Sequence, residues 1–259
     1  MNGITARLSR ISKDGKFLII PMDHGVTVGP LKGLYDIEKT VAEISEGATA
    51  VLLHKGIIRS LKTVPDIGII MHLSASTILG IETNWKVTVG SVEEAIRLGV
   101  DAISVHINLG NSREPLMLEY LGEISEKCNQ WQIPLISMIY PRGENIKDPY
   151  DPEILSHVVR LGAELGSDVI KTNYTGDPNT FEKVVESTSR PVVIAGGPKT
   201  ETEEEFFQMV KGAVDSGAAG AAIGRNVFTR NEPSSMVKAI SSIIFEDLTI
   251  NEALEIIKD

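Results

Sequence analysis

A lysine at position 171 sits inside DVIKTNYTG, directly after the apolar, strand-forming pair Val169 and Ile170. Alternation with period two puts Val169, Lys171 and Asn173 on one face. If that face points into a closed interior, the ammonium is desolvated, its pKa falls, and the free amine becomes a nucleophile toward a carbonyl carbon. A lysine closing an irregular strand at the surface would instead be solvated and inert. Two groups could move protons while a carbon–carbon bond is made or broken at such an adduct. Tyr140 closes LISMIY just before Pro141, and a phenol beside a lysine can relay a proton, although an average tyrosine there simply packs at a rim. Asp23 follows FLIIPM, where a lone carboxylate is costly and calls for a cationic partner such as Lys171, unless it caps a loop amide.

A second chemistry is anion binding. Gly196 and Gly197 in AGGPK leave backbone N–H groups unobstructed, and Gly224 in IGRN is followed by the guanidinium of Arg225. Any one of these glycines alone serves a tight turn, but two such turns beside an arginine suit a phosphate. Lys199 reads as a solvated residue at a helix start, and Lys55 in LLHKG as either a charge-setting residue or a substrate contact. His24, His54, His72 and His106 all fall near strand ends, which keeps a metal-dependent hydrolase or aldolase in view. No H-x-H or H-x-x-x-H pair brings two ligands together, so the reading assigns no metal and no cofactor. His157 lies in a helical pattern and reads as surface or interhelical.

The elements that must position these residues form a repeat. Val- and Ile-rich runs at 17–22, 50–54, 68–73, 102–107, 135–140, 168–173, 191–196 and 220–224 alternate with segments of helical period. Most runs are apolar on both faces, as in a buried parallel sheet. Gly47, Gly99, Gly166 and Gly217 stand where helices would end in a left-handed residue, and Ser91, Asp151 and Thr202 where an N-cap oxygen is useful. The 56–66 segment has the weakest helical pattern. Eight such units in 259 residues predict a single α/β domain over 1–259, a (β/α)8 TIM barrel of parallel strands with its site at their C-terminal ends. The competing doubly wound sheet would carry G-x-G-x-x-G after the first strand, where this chain reads PMDHGVTVGP. In a barrel, the candidates above all fall at strand C-termini, together with Asn108, Arg142, Asn173 and Tyr174.

A formal net charge of −10 argues against a nucleic-acid partner. A single cysteine, Cys128, permits no intrachain disulfide and sits in a helical pattern as a buried or half-buried thiol. The opening MNGITARLSRISKDGK lacks the apolar stretch of a signal peptide, and no run reaches the roughly 18 apolar residues of a membrane span. The expectation is a cytoplasmic protein with no membrane partner.

PMDHG, LLHKG, MIYPRG, DVIKTNYTG, VVIAGGPK and AAIGRNVF, in this order over essentially the whole chain, resemble the archaeal-type class I fructose-bisphosphate aldolase family. The resemblance implies that Lys171 forms a Schiff base, Tyr140 donates a proton and Asp23 accepts one. It also implies that Asp23, His24, Gly25, Val26 and Thr27, the Tyr140-Pro141-Arg142 segment, Gly196 with Gly197, and Gly224 with Arg225 hold a phosphorylated ketose donor. PMDHGVTVGPLKGL, GAELGSDVIKTNYTGD and GGPKTETEEEF resemble a transaldolase-like branch of that family. Its activity is transfer of a three-carbon ketone fragment from 6-deoxy-5-ketofructose 1-phosphate to a small aldehyde acceptor, L-aspartate semialdehyde, on a route to dehydroquinate and the aromatic amino acids. Cleavage of fructose 1,6-bisphosphate uses the same trio and remains the alternative. A barrel that binds a sugar phosphate without catalysis would keep Gly197 and Arg225 but need no buried lysine. The family further implies a homo-oligomer, with a decameric ring as one form. LSASTILGIETNWKV, after the third strand run, matches no family motif.

Overall fold

The computed structural model describes residues 2–197 and 202–258; Lys199 lies outside them. The described residues form ten strands: β1 (Phe17–Pro21), β2 (Ala50–Leu53), β3 (Gly68–His72), β4 (Ser74–Ala75), β5 (Val87–Thr88), β6 (Ala102–Leu109), β7 (Leu135–Pro141), β8 (Val169–Thr172), β9 (Val192–Ala195) and β10 (Gly220–Ala222). Eight of them close a barrel in the order β1-β10-β9-β8-β7-β6-β3-β2, and every pair in it is parallel. These are the eight runs expected from sequence.

Both faces of the barrel strands are buried because each face has its own apolar layer. Phe17, Ile19, Leu52, Ile70, Ile136, Met138, Val169 and Val193 fill the interior. The alternate residues, such as Leu18, Val51, Ile103, Ile170 and Ile194, pack outward against the helices. Two aspartates lock strand register: Asp101 Oδ2 accepts from the Ile69 amide at 3.0 Å, and Asp168 Oδ2 accepts from the Leu135 amide at 2.9 Å. Each carboxylate satisfies a backbone donor on the preceding barrel strand, which fixes where the next strand starts.

The caps fall largely as expected. Ser91, Asp151 and Thr202 accept from amides in the first turns of their helices, Thr202 as part of a capping box. Gly99, Gly166 and Gly217 have positive φ. Gly47 does not; a Cβ there would crowd the Val237 carbonyl at 3.1 Å, so this glycine serves close packing of helices rather than a left-handed turn. Residues Lys55–Ser60 form a short helix in the weakly patterned segment, Cys128 is buried and His157 is exposed. Among the described residues no helix is long and apolar enough to cross a membrane.

Two features go beyond the eightfold repeat. Helix Gly3–Ile11 closes the N-terminal end of the barrel, with Ile11 in the interior cluster and Arg10 paired to Asp101. A Cβ at Gly68 would stand 2.5 Å from the Ile11 side chain, so only glycine lets this plug seat. At the opposite end, β4 and β5 pair antiparallel as a hairpin beside the barrel mouth.

Candidate active site

Strand alternation carries Lys171 inward. Val169 packs in the interior cluster and Ile170 in the outer one, so the next residue returns to the interior, as the sequence pattern requires. Lys171 is buried, with Nζ 3.9 Å from Met138 Sδ on the paired strand β7. Among the described residues no carboxylate stands within ion-pairing distance of it. Tyr140, one inward-facing residue beyond Met138 on β7, is buried above the same interior. Its ring lies between His106, 5.0 Å away, and the Arg142 guanidinium, 4.5 Å from the ring centre.

Asp23, just after β1, sits in a wall of imidazoles. Oδ2 is 3.8 Å from His72 Nε2, and Oδ1 is 3.7 Å from His24 Nδ1. His72 is fixed from behind by Ser104 Oγ, 2.7 Å from its Nδ1, and edge-on by His54 at 5.3 Å. The expected direct pairing of Asp23 with Lys171 is therefore replaced by contacts to histidine, and the ammonium acts through space. Burial pushes the Asp23 carboxyl up, but His72, His24, Lys171 and His54 together outweigh it and hold the carboxyl well below the usual range. Burial in turn pushes His72 down to about 4, and it lowers His24, His54 and His106 as well. At neutral pH the carboxylate is ionised and the imidazoles around it are neutral.

Gly196 and Gly197 follow β9, and Gly224 and Arg225 follow β10. The two turns are tied together by Asn226 Nδ2, which donates to the Gly196 carbonyl at 2.9 Å. Gly197 has φ +62, and a Cβ at Gly224 would lie 2.4 Å from the Pro21 carbonyl and 2.7 Å from the His24 ring. Arg225 is exposed and has no ion-pair partner among the described residues.

One cavity of about 520 Å³ joins these groups: Asp23, His24, Thr27, Tyr140, Arg142, Lys171, Gly196, Gly197, Gly224 and Arg225 all line it. Gly25, Val26 and Pro141 do not. Gly25 and Val26 lie on the exposed side of the His24–Val28 helix, and Pro141 is buried at the end of β7. Lys55 is also outside; it pairs with Glu94 at 3.1 Å, which Arg59 shares, so it sets charge on the barrel flank. A neighbouring cleft of about 600 Å³ shares Tyr150, Asn173, Ala195 and Gly197 with the cavity but contains neither Lys171 nor Asp23.

The cavity also holds a residue that the sequence did not single out. Lys86 enters it from the β4–β5 hairpin. The stretch from Leu73 to Ser91 is far longer than the roughly 2–6 residues usual between a strand and the following helix, which is itself a signal of a functional loop. The hairpin is held firmly. Ser74 Oγ accepts from the His106 amide at 2.9 Å, the Asn84 carbonyl accepts from Asn108 Nδ2 at 2.7 Å, and the Ile78 amide donates to the Thr27 carbonyl at 2.9 Å. Arg113 braces its outer side, 3.1 Å from Glu82 and stacked 4.9 Å from the Trp85 ring centre. Burial and the nearby Arg142 lower the pKa of the Lys86 ammonium.

The family model of the DeoC/LacD family aldolases matches residues 17–230. A 2-amino-3,7-dideoxy-D-threo-hept-6-ulosonate synthase of Halobacterium salinarum is 44% identical over 254 residues, covering 97% of this chain and 95% of its own. A 2-amino-4,5-dihydroxy-6-oxo-7-(phosphonooxy)heptanoate synthase of Streptomyces griseus is 38% identical over 232 residues, 88% of this chain and 85% of its own. Among solved structures, an archaeal fructose-1,6-bisphosphate aldolase with its catalytic lysine bound covalently to the carbinolamine intermediate superposes with a TM-score of 0.87. It is 32% identical and covers 94% of this chain and 99% of its own.

Proposed function

Because this chain belongs to the DeoC/LacD family of aldolases, we propose that it is a 2-amino-3,7-dideoxy-D-threo-hept-6-ulosonate synthase, which moves a three-carbon ketone fragment from 6-deoxy-5-ketofructose 1-phosphate to L-aspartate semialdehyde. The single observation that carries the mechanism is Lys171, a buried amine without a carboxylate partner among the described residues, facing a cavity that also holds Asp23 and Tyr140.

In the proposed sequence, the Lys171 amine adds to the ketone carbon to give a carbinolamine, which loses water to an iminium. Cleavage of the adjacent carbon–carbon bond leaves its electron pair on the three-carbon fragment as an enamine and releases an aldehyde. Asp23 accepts the hydroxyl proton in that step, since its carboxyl is ionised at neutral pH. Tyr140 supplies the proton needed where an alkoxide would otherwise form or water must leave. The enamine then attacks the aldehyde carbon of the semialdehyde, and water releases the product from Lys171. The mouth formed by Asp23 to Thr27, Tyr140 to Arg142, Gly196 with Gly197, and Gly224 with Arg225 holds the phosphorylated donor in this reading.

The H. salinarum and S. griseus relatives, whose names specify 2-amino-acid products, support the synthase over simple cleavage. The second reading is fructose 1,6-bisphosphate cleavage, favoured by the structural likeness at 32% identity. A cytoplasmic setting and self-association complete the proposal; exposed Leu79 and Ile81 on the hairpin support the latter.

Borohydride trapping with the ketose phosphate, followed by peptide mapping, tests the reading. The synthase gives a reduced adduct on Lys171 whose yield falls when aspartate semialdehyde is added. An adduct indifferent to the semialdehyde, with triose phosphates released from fructose 1,6-bisphosphate, selects the aldolase. No adduct on Lys171 defeats both.

A further inference from the structure

The interior row that carries Lys171 continues onto β6. His106 pairs in register with Met138 on β7, and Met138 with Lys171 on β8, so the three stand at one level on adjacent strands. Val105 and Ile107 pack in the outer cluster, so alternation turns His106 inward, where it lines the same cavity as Lys171. Neighbouring strands lie about 4.8 Å apart, which separates the two backbones by about 10 Å, with both side chains reaching into the gap. In the closed order β8 stands between β6 and the glycine turns that follow β9 and β10.

The tautomer of His106 is set from the β4–β5 hairpin. Asn108 Nδ2 donates to the Asn84 carbonyl at 2.7 Å, which leaves Asn108 Oδ1 as an acceptor 2.9 Å from His106 Nε2. Nε2 therefore carries the proton and Nδ1 keeps its lone pair. Burial, with Lys86, Arg142 and His72 nearby, holds the pKa of the ring well below its usual value, so it stays neutral. Among the described residues Nδ1 has no hydrogen-bond partner, and it is not shut inside the protein, so its lone pair opens to the cavity. Lys86, Arg142 and Lys171 line the same cavity and can only donate. Those cations repel an ammonium, so the donor that suits Nδ1 is an uncharged hydroxyl.

We infer that His106 Nδ1 accepts a hydrogen bond from a hydroxyl of the ketone bound to Lys171, on the side of the carbonyl carbon away from the phosphate, and so selects hydroxyketones over their deoxy analogues. The inference rests on the Schiff-base reading above and names a specificity residue for it. A ketose phosphate anchored at the turns after β9 and β10, and joined to Lys171 through its carbonyl carbon, continues toward β6. An analogue without the hydroxyl leaves Nδ1 facing carbon, and that unpaired acceptor is the source of the discrimination.

Dihydroxyacetone phosphate and hydroxyacetone phosphate differ only in that hydroxyl. Each is titrated against the wild-type chain, His106→Phe and His106→Asn, and the Lys171 adduct is trapped with borohydride and quantified by peptide mapping. The expected result is that the preference for dihydroxyacetone phosphate, read as the ratio of half-saturating concentrations, falls about tenfold or more in His106→Phe, through weaker binding of the hydroxylated ketone. His106→Asn, whose Oδ1 can stand near the place of Nδ1, keeps most of that ratio. Nitrogen NMR of the wild-type chain, with the His106 signals identified by their loss in His106→Phe, should show a protonated Nε2 and a bare Nδ1. Variants that weaken both ketones equally, or neither, overturn the inference while the adduct leaves the Schiff base standing, and so does a proton found on Nδ1. A wild-type chain that forms no adduct with either ketone overturns the Schiff-base reading and the inference with it.

Discussion

Nε2 of His72 stands 3.8 Å from Oδ2 of Asp23, while Nδ1 of the same ring is held 2.7 Å from Ser104 Oγ. The second contact fixes the ring plane, so the first does not depend on His72 being charged. A neutral imidazole beside an ionised carboxylate gives Asp23 a polar wall that leaves its basicity available, where a permanent cation at the same place would pair with it. Burial raises the carboxyl, and His72 and His24, followed by Lys171 and His54, outweigh it and keep the carboxyl ionised.

This arrangement makes stability sensitive to acid. His72 titrates near 4 when folded and near 6.5 when unfolded. Between those values the unfolded chain binds more protons, so stability falls as pH drops from about 6.5 toward 4, by up to about 3 kcal/mol from this group. Burial shifts His24, His54 and His106 in the same direction and adds to the slope. Thermal melts across that window should show the loss, and His72→Asn should flatten it. An identical slope in the variant would mean that His72 binds its proton as readily in the folded protein as in the unfolded chain.

Lys171→Met places an apolar chain of similar length beside Met138, in an interior already lined by Ile136 and Val169. The fold should survive, with melting unchanged or raised, because a buried charge is removed. Turnover should fall by roughly three orders of magnitude or more, since the cavity's other described amine, Lys86, comes from the β4–β5 hairpin and not from β8. Retained turnover in the folded variant would remove Lys171 from the chemistry.

Tyr140→Phe separates proton transfer from packing. The ring keeps its contacts with His106 and Arg142 and loses only the hydroxyl. If the phenol donates a proton, kcat falls by about 10²- to 10⁴-fold. Single-turnover measurements should locate the slowing at a step after donor binding. A variant with wild-type kcat would make Tyr140 a packing residue.

The direction of Lys171 is legible in the sequence because strand alternation is strict and the two preceding residues, Val169 and Ile170, are apolar for opposite reasons. Chain distance hides how strand ends meet: Asp23 and His72 are brought together by closure of the barrel. Sequence logic that pairs a buried carboxylate with a buried cation therefore selects Lys171 and passes over the imidazoles. Lys86 was hidden for another reason. It sits in a hairpin of two-residue strands, too short for any period to register, among the exposed apolar residues Ile78, Leu79 and Ile81. Gly25, Val26 and Pro141 show the converse. They belong to motifs that line the cavity, but helix geometry turns the first two outward and β7 keeps the third in its own wall.

Arg225→Ala tests the phosphate end. The side chain is exposed, so its attraction for a phosphate is partly screened by water, and the loss of donor affinity should fall near the lower part of about 1–3 kcal/mol. The Gly196 and Gly197 turn, tied to β10 through Asn226, stays in place, so part of the affinity should remain. Because the lost term is electrostatic, the gap between wild type and variant should narrow as salt is raised, whereas a packing defect would leave it constant. Titration of the ketose phosphate by calorimetry at two ionic strengths makes that distinction. Affinity unchanged at both would take Arg225 out of the phosphate site and leave the backbone of the two glycine turns as its recognition element.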